Sequence, residues 1–455
     1  MPHSGHALSR KSFLAGAAAV PFGMSLVEAS DARARNSGGL NVVLILFDDL
    51  GYGDLSCYGS QAISTPNADR LAEDGVRLTQ AYSGAPVCTP SRAALMTGRY
   101  GARSGLQRTV SPGDARGMPD GERTIAEYLR RAGYATGCFG KWHLGSRPEH
   151  NPTRHGFDSF FGVLHSNDME PFRIYDGEEV VESEVDQAQL TRRYTEEASA
   201  FIRENSGGPF FAYLPHTMPH IPLAAEERFR GVSEAGSYGD AVEAIDHYLG
   251  NLMDVLEDEE ALEDTLILLS SDNGPWFTGS TGGLRGRKGE TYEGGMRVPT
   301  IAHWPAGIQR GTVSDYPVSS VDFLPTLCSL AGVEPEGDII LDGEDVSAAL
   351  RGREEGERDG PIYFFTEKHL NAVRRGRWKL HLRRVPEGGY SPTQQMPQLF
   401  DLESDSSESY DLSETRPEIV EELRSLLEQF ESEVNGASSR ETEDQAFWRD
   451  WLPGF

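Results

Sequence analysis

Lysine is scarce in this chain. Lys11, Lys141, Lys288, Lys368 and Lys379 are the only five lysines among 455 residues, and arginine supplies the rest of the 42 basic groups. Positive charge as a whole is short: 71 acids against 42 bases give a formal net charge of −29. Such a surface has nothing to offset phosphate repulsion, which excludes most nucleic-acid binders and argues against anionic membranes. Cysteine is sparse too. Cys57, Cys88, Cys138 and Cys328 match no framework of a disulfide-stapled miniprotein. Long apolar runs are missing; the stretch 13–27 is too short for a confident bilayer span, and no other segment is better. What is present is 38% hydrophobic and 9% aromatic residues, enough for a large buried core and too much for a disordered chain.

Residues 1–35 have the three parts of an export signal peptide: a basic start, a short apolar stretch and small residues around Ala32-Arg33-Ala34. Ser9-Arg10-Lys11-Ser12-Phe13-Leu14 is similar to a twin-arginine signal, with lysine in the second arginine's place. The expected location is therefore periplasmic or extracellular, with no membrane span in the mature chain. A twin-arginine substrate folds in a reducing cytosol, which argues against disulfides.

Asn41-Val-Val-Leu-Ile-Leu-Phe47 is a continuous apolar run that reads as a strand buried on both faces. Runs 265–270, 209–214 and 134–139 read the same way, and each ends in a polar cluster. Val242, Ile245, Leu249, Leu252 and Leu256 are spaced for one helix face. Strands alternating with helices predict an α/β fold, a sheet with helices on both faces. Ligands of such sheets sit beyond the carboxyl ends of the strands, where all four polar clusters fall. The main region is expected over 40–350. The Gly/Glu/Arg-rich stretch 351–360 reads as a linker. A small C-terminal α+β domain over 361–455 follows, with strands near 362–365, 378–382 and 398–402 and a helix from 417 to 434.

Asp48, Asp49, Asp272 and Asn273 are hard oxygen ligands suited to Ca2+ or Mg2+, or else they are turn and cap residues. Cys88-Thr89-Pro90-Ser91-Arg92 opens a predicted helix that ends before Gly98. Pro90 fits its first turn, and Arg92 lies one turn after Cys88. A helix start beside an arginine is a natural anion site. Cys88 there reads either as a reactive thiolate or as a buried structural cysteine.

Cys88-Thr-Pro-Ser-Arg92 resembles the Cys-x-Pro-x-Arg signature of the type I, formylglycine-dependent sulfatases. Gly140-Lys-Trp-His-Leu-Gly145 is similar to that family's second signature. Asp48-Asp49-Leu-Gly-Tyr-Gly-Asp54, Pro219-His-Ile-Pro222, Ser271-Asp-Asn-Gly-Pro275 and Lys288-Gly-Glu-Thr-Tyr-Glu-Gly-Gly295 resemble further family motifs. The resemblance spans about residues 40 to 412 and points to the arylsulfatase A-like members. It implies an alkaline-phosphatase-like sandwich with a large mixed sheet. It also implies hydrolysis of sulfate monoesters, carbohydrate or aryl. Cys88 would be converted by a maturation enzyme to Cα-formylglycine, whose hydrate attacks sulfur and leaves a transient sulfo-enzyme. On the same resemblance Asp48, Asp49, Asp272, Asn273 and the Cys88-derived oxygen would hold the cation. Arg92 would stabilise charge, Lys141 and Lys288 would bind sulfate oxygens, His143 would accept a proton, and His220 would protonate the leaving oxygen. Two of the five lysines thus fall at motif positions.

Ser166 and Asp168 resemble a sulfate- or substrate-contacting position or else form a turn, and His216 either lines the pocket or caps its strand. Alternatives are a phosphonate or phosphate ester hydrolase on the same site, or a non-catalytic binder of sulfated glycans if Cys88 stays a thiol. Arg374, Arg375, Arg377, Lys379, Arg383 and Arg384 read as a charged strand edge or as an outer subsite for a polysulfated substrate. Asp405-Ser-Ser-Glu408-Ser-Tyr-Asp411-Leu412 lacks the proline and asparagine the family has there, which predicts a looser turn.

Overall fold

The Asn41–Phe47 strand is buried along its whole length. Val42, Leu44 and Leu46 face one core, while Val43, Ile45 and Phe47 face another. That alternation makes it the centre of a layered molecule, because each face must be covered. This computed structural model describes residues 39–353, 356–382 and 396–437. The export segment, Arg383, Arg384 and the end of the chain lie outside the described residues.

The large sheet has ten strands. Its order is Thr312–Ser314, Val76–Leu78, Thr300–His303, Thr265–Ser271, Asn41–Phe47, Phe210–Pro215, Ala135–Lys141, Ser159–Val163, Ile174–Asp176 and Glu179–Glu182. From Thr265–Ser271 to Ser159–Val163 the neighbours run parallel, and antiparallel pairings toward both edges make the sheet mixed. On one face lie helices Cys88–Thr97, Ile125–Arg131 and Phe323–Ala331. On the other lie Pro66–Asp74, Leu190–Asn205 and Gly236–Asp258. Val242, Ile245, Leu249, Leu252 and Leu256 are buried there, as their spacing predicts.

A four-stranded antiparallel sheet follows: Ile362–Thr366, His369–Arg375, Trp378–His381 and Gln398–Asp401. Helix Pro417–Ala437 covers it with Val420, Leu423, Leu427 and Phe430. Ala94, Tyr100 and Val321 of the main region join the same core. His369–Arg375 was not among the predicted strands, since its ends are polar and charged.

Three expectations are corrected here. The 351–360 stretch is not a free linker: Arg358 is buried and grips Asp322 with Nη1–Oδ2 and Nη2–Oδ1 contacts of 2.6 and 2.8 Å. The basic strand is not an edge among its described residues, although Arg375 and Arg377 stay exposed. His369–Arg375 and Trp378–His381 are the two inner strands. Arg374 is buried against Tyr82 and Gln80, and Lys379 is buried between Glu293 and Glu408. Arg377 pairs with Asp401 and Glu403, and Arg375 with Glu422. The turn at 405–411 is tied rather than loose: Asp405 accepts from Ser409 N and Tyr410 N, both at 2.8 Å. All four cysteines are free. Among the described residues no helix is long and apolar enough to cross a membrane.

Candidate active site

Strand register assembles the site. Phe47 pairs with Ser271 and Leu46 with Pro215, so the residues that follow emerge side by side. Asp272 N donates to Phe47 O at 3.1 Å, and Asp49 N donates to Asp272 Oδ1 at 3.2 Å. Two motifs 223 residues apart in sequence thereby become one acidic edge, a contact that periodicity alone could not reveal. Asp49 holds φ 67° and His143 φ 59°, a left-handed backbone that side-chain-bearing residues visit rarely and that recurs at functional sites.

The Ala135–Lys141 strand delivers Lys141. At Gly140, φ is 140°, and a Cβ would lie 1.9 Å from Pro215 O, so only glycine lets the two strands close here. Lys141 Nζ then reaches Asp48 Oδ2 at 2.5 Å and Ser166 Oγ at 3.1 Å. Cys88 begins the Cys88–Thr97 helix, which ends at Gly98 in the left-handed conformation, as the sequence predicts. Its Sγ lies 3.5 Å from Asp48 Oδ1 and 3.4 Å from Lys288 Nζ. Lys288 also contacts both Asp49 oxygens, at 2.7 and 2.8 Å. One turn after Cys88, Arg92 places Nε and Nη2 at 2.9 and 2.8 Å from Asp272 Oδ2, and its Nη1 donates to Lys141 O at 2.6 Å.

Three carboxylates, Asp48, Asp49 and Asp272, therefore meet three cations, Arg92, Lys141 and Lys288, in a buried volume. Burial raises the Asp48 carboxyl, but Lys141, His220, Arg92 and Lys288 outweigh it and hold Asp48 well below the ordinary range. Burial and the Asp48 charge push Asp272 upward against Arg92. Burial lowers Lys288, yet the surrounding acids and Cys88 keep it firmly protonated. The Cys88 thiol is driven far above its usual value by burial, only partly offset by the two lysines. Its thiolate is disfavoured here, so the reading of Cys88 as a reactive thiolate loses ground.

His143 and His220 differ in kind. Burial, then Lys141 and Arg92, keep His143 neutral. Its Nε2 sits 3.1 Å from Val110 O, which fixes the proton on Nε2 and leaves Nδ1 as an unpartnered base. His220 Nδ1 faces Asn167 Oδ1 at 3.1 Å and Ile221 O at 2.6 Å, while Nε2 points toward Asp49 Oδ2 at 3.7 Å. Asp48, Asp49, Cys88 and His220 could hold a metal ion, since ligand atoms of all four lie within 4.8 Å of one another. Asn273 adds a buried Oδ1 with no hydrogen-bond partner, a spare hard donor beside Asp49, to which its Nδ2 donates at 2.7 Å. Of these donors, the oxygens of Asp48, Asp49 and Asn273 are the ones that fit a hard divalent cation.

The other sequence candidates are placed unevenly. Ser166 is in the site through Lys141. Asp168 is exposed and outside the buried cluster; its neighbour Asn167 is the residue that reaches inward. His216 lies in an aromatic wall, 6.3 Å from the Phe47 ring and 6.5 Å from Tyr194, and burial lowers it to about 3. Sequence reasoning missed Asn167 and its partner Gln187, for which no motif gives a signal. Asp54 and Glu293 support the site from behind. Asp54 accepts from Gly51 N and Tyr238, and Glu293 from Lys379.

Comparisons with known proteins agree with this geometry. A family model described as Sulfatase matches residues 40–333, and one described as C-terminal region of aryl-sulfatase matches 357–454. N-acetylgalactosamine-6-sulfatase of Canis lupus familiaris is 38% identical over 373 residues, covering 75% of this chain and 71% of that relative. Arylsulfatase A of Bos taurus is 36% identical over 444 residues, 86% of this chain and 87% of the relative. The crystal structure of Ps i-CgsB in complex with k-i-k-neocarrahexaose superposes with a TM-score of 0.80 at 31% identity, covering 88% of this chain and 94% of that one. This chain belongs to the sulfatase family and is a sulfuric ester hydrolase.

Proposed function

We propose that the enzyme cleaves sulfate monoesters of carbohydrates with Cα-formylglycine, derived from Cys88, as nucleophile precursor and Ca2+ or Mg2+ as the metal. The observation that carries this is the setting of Cys88 at a buried helix start, between Asp48 and Lys288. The converted residue supplies a hydrated aldehyde oxygen as nucleophile, a chemistry the unmodified thiol lacks in this setting. Asp48, Asp49, Asp272 and Asn273 would hold the cation, which adds positive charge where sulfuryl oxygens gain negative charge. The side chains alone are balanced, three charges against three. A divalent cation leaves the pocket net positive, and the single negative charge of a sulfate monoester offsets part of that excess.

Lys141 and Lys288 then turn from the carboxylates toward sulfate oxygens. Ammonium groups suit a tetrahedral anion better than a planar fork does. Arg92, pinned by Asp272 and Lys141 O, keeps a fixed positive field that needs no reorganisation during reaction. His143 accepts a proton at Nδ1. His220 gives one to the leaving oxygen from Nε2, the ring nitrogen that faces the site. Residues 40–350 form the catalytic region, followed by the smaller C-terminal region 361–455. The basic, then apolar, N-terminal segment supports export of the mature enzyme.

Comparing nitrophenyl sulfate with nitrophenyl phosphate and a nitrophenyl phosphonate tests this reading. The sulfate ester is expected to lead in kcat/KM by at least about 100-fold. A preference for phosphonate would replace it with the other hydrolase.

A further inference from the structure

The loop that follows Asn273 is clamped at both ends. Gly274 N donates to Gly295 O at 3.0 Å, and Lys288 N donates to Pro275 O at 3.1 Å. At the far end Ser280 N donates to both Asp54 oxygens at 2.9 and 3.1 Å, and Gly53 N donates to Ser280 O at 3.0 Å. Arg287 ties the middle, with Nη1 donating to Trp276 O at 2.9 Å and Gly279 O at 2.7 Å. Between the clamps stand two aromatic rings in water: Trp276 is 41% exposed and Phe277 72%. They pack edge to face with centroids 4.9 Å apart, and the Arg287 guanidinium lies 5.6 Å from the Phe277 ring.

A floppy loop could bury such rings; this one holds them out. The other exposed large apolar side chains among the described residues are aliphatic, Tyr410 apart. The pair also has a definite address. Trp276 is three residues from Asn273, so their Cα atoms are within about 11 Å of each other. Arg287 directly precedes Lys288, whose Nζ reaches Cys88. The loop that carries the rings therefore starts at the sulfate pocket, within the span of a disaccharide.

We propose that Trp276 and Phe277 form a stacking platform for the sugar ring adjoining the sulfated one, with Arg287 meeting an anionic substituent on it. This rests on the sulfatase reading above and narrows its substrate to a sulfated oligosaccharide. The C–H face of a pyranose is apolar and flat enough to cover an aromatic ring, while its hydroxyls stay in water. Rings of this kind supply rigid contact area with few torsions to freeze. In a chain of net charge −29, a local guanidinium beside the rings also lessens repulsion of a polyanionic substrate.

The test is steady-state kinetics of Trp276→Ala and Phe277→Ala on a sulfated tetrasaccharide and on the matching sulfated monosaccharide. KM on the tetrasaccharide is expected to rise about tenfold, with kcat within about twofold and the monosaccharide constants unchanged. Trp276→Phe is expected to restore most of the loss. Calorimetric affinity for the same tetrasaccharide gives a readout independent of turnover and is expected to weaken by the same factor. Unchanged tetrasaccharide KM and affinity, or equal losses on both substrates, would overturn the platform. So would self-association of the wild-type chain that either variant abolishes, since the rings would then face a second copy. Failure of the parent reading looks different: the wild type, with residue 88 verified as aldehyde, would turn over neither substrate.

Discussion

His220 Nδ1 lies between two acceptors, Asn167 Oδ1 and Ile221 O, so that nitrogen carries the proton and Nε2 faces the site. Asn167 cannot rotate away, because its Nδ2 donates to Gln187 Oε1 and Pro222 O at 3.1 and 3.2 Å, and Gln187 Nε2 donates back to Asn167 O at 2.9 Å. Asn167→Ala is expected to lower kcat on sugar sulfates by about 10–100-fold, the usual cost of losing the partner of a working histidine. Nitrophenyl sulfate, whose leaving group needs little protonation, should lose far less, and the pH profile on sugar sulfates should shift. Equal losses on both substrates with an unmoved profile would make Asn167 merely structural. This residue was illegible in the sequence, although its neighbours Ser166 and Asp168 were singled out. Three consecutive polar residues in a turn give no period from which to tell the inward side chain. Cys88 and Arg92 were legible from a helix start and a one-turn spacing, and Lys141 and Lys288 only from the resemblance of their motifs to those of the sulfatases.

Elements were easier to read than their neighbours. Apolar runs marked the four strands whose ends build the site, and the three-and-four spacing marked the Gly236–Asp258 helix. Register and sheet order were not readable, since each pairing joins residues scores or hundreds of positions apart. Arg358 shows the same limit: its partner Asp322 is 36 residues away, so a Gly/Glu/Arg-rich stretch looked solvated. Asp246 gives a test at this scale. It docks one helix on another, accepting from Ala68 N at 2.8 Å and Asn67 N at 3.1 Å at the start of Pro66–Asp74. Burial raises its carboxyl to about 6, against those hydrogen bonds. A raised carboxyl favours folding while protonated. Its contribution is therefore complete below the ordinary 3.8 and lost as pH rises through about 6. The two-unit rise corresponds to roughly 3 kcal/mol. Thermal melts of Asp246→Asn should show a flatter Tm between pH 4 and 7 than the parent. An identical pH dependence would refute the assignment.

At the scale of the whole molecule, the acidic total conceals the site. A net charge of −29 argues against most nucleic-acid binders, yet it says nothing of a pocket where Arg92, Lys141 and Lys288 converge on Asp272, Asp48 and Asp49. The scarcity of lysine was the better guide: among the five are two in the pocket around residue 88 and a third, Lys379, that ties the four-stranded sheet to Glu293 of the main region. The central claim is that sulfate-ester cleavage requires conversion of Cys88 inside this balanced pocket. The direct measurement sets specific sulfate-release activity against the fraction of residue 88 found as aldehyde by intact-peptide mass spectrometry, across preparations matured to different extents. The account predicts a straight line through the origin. Full activity in a preparation whose residue 88 is entirely thiol would contradict it.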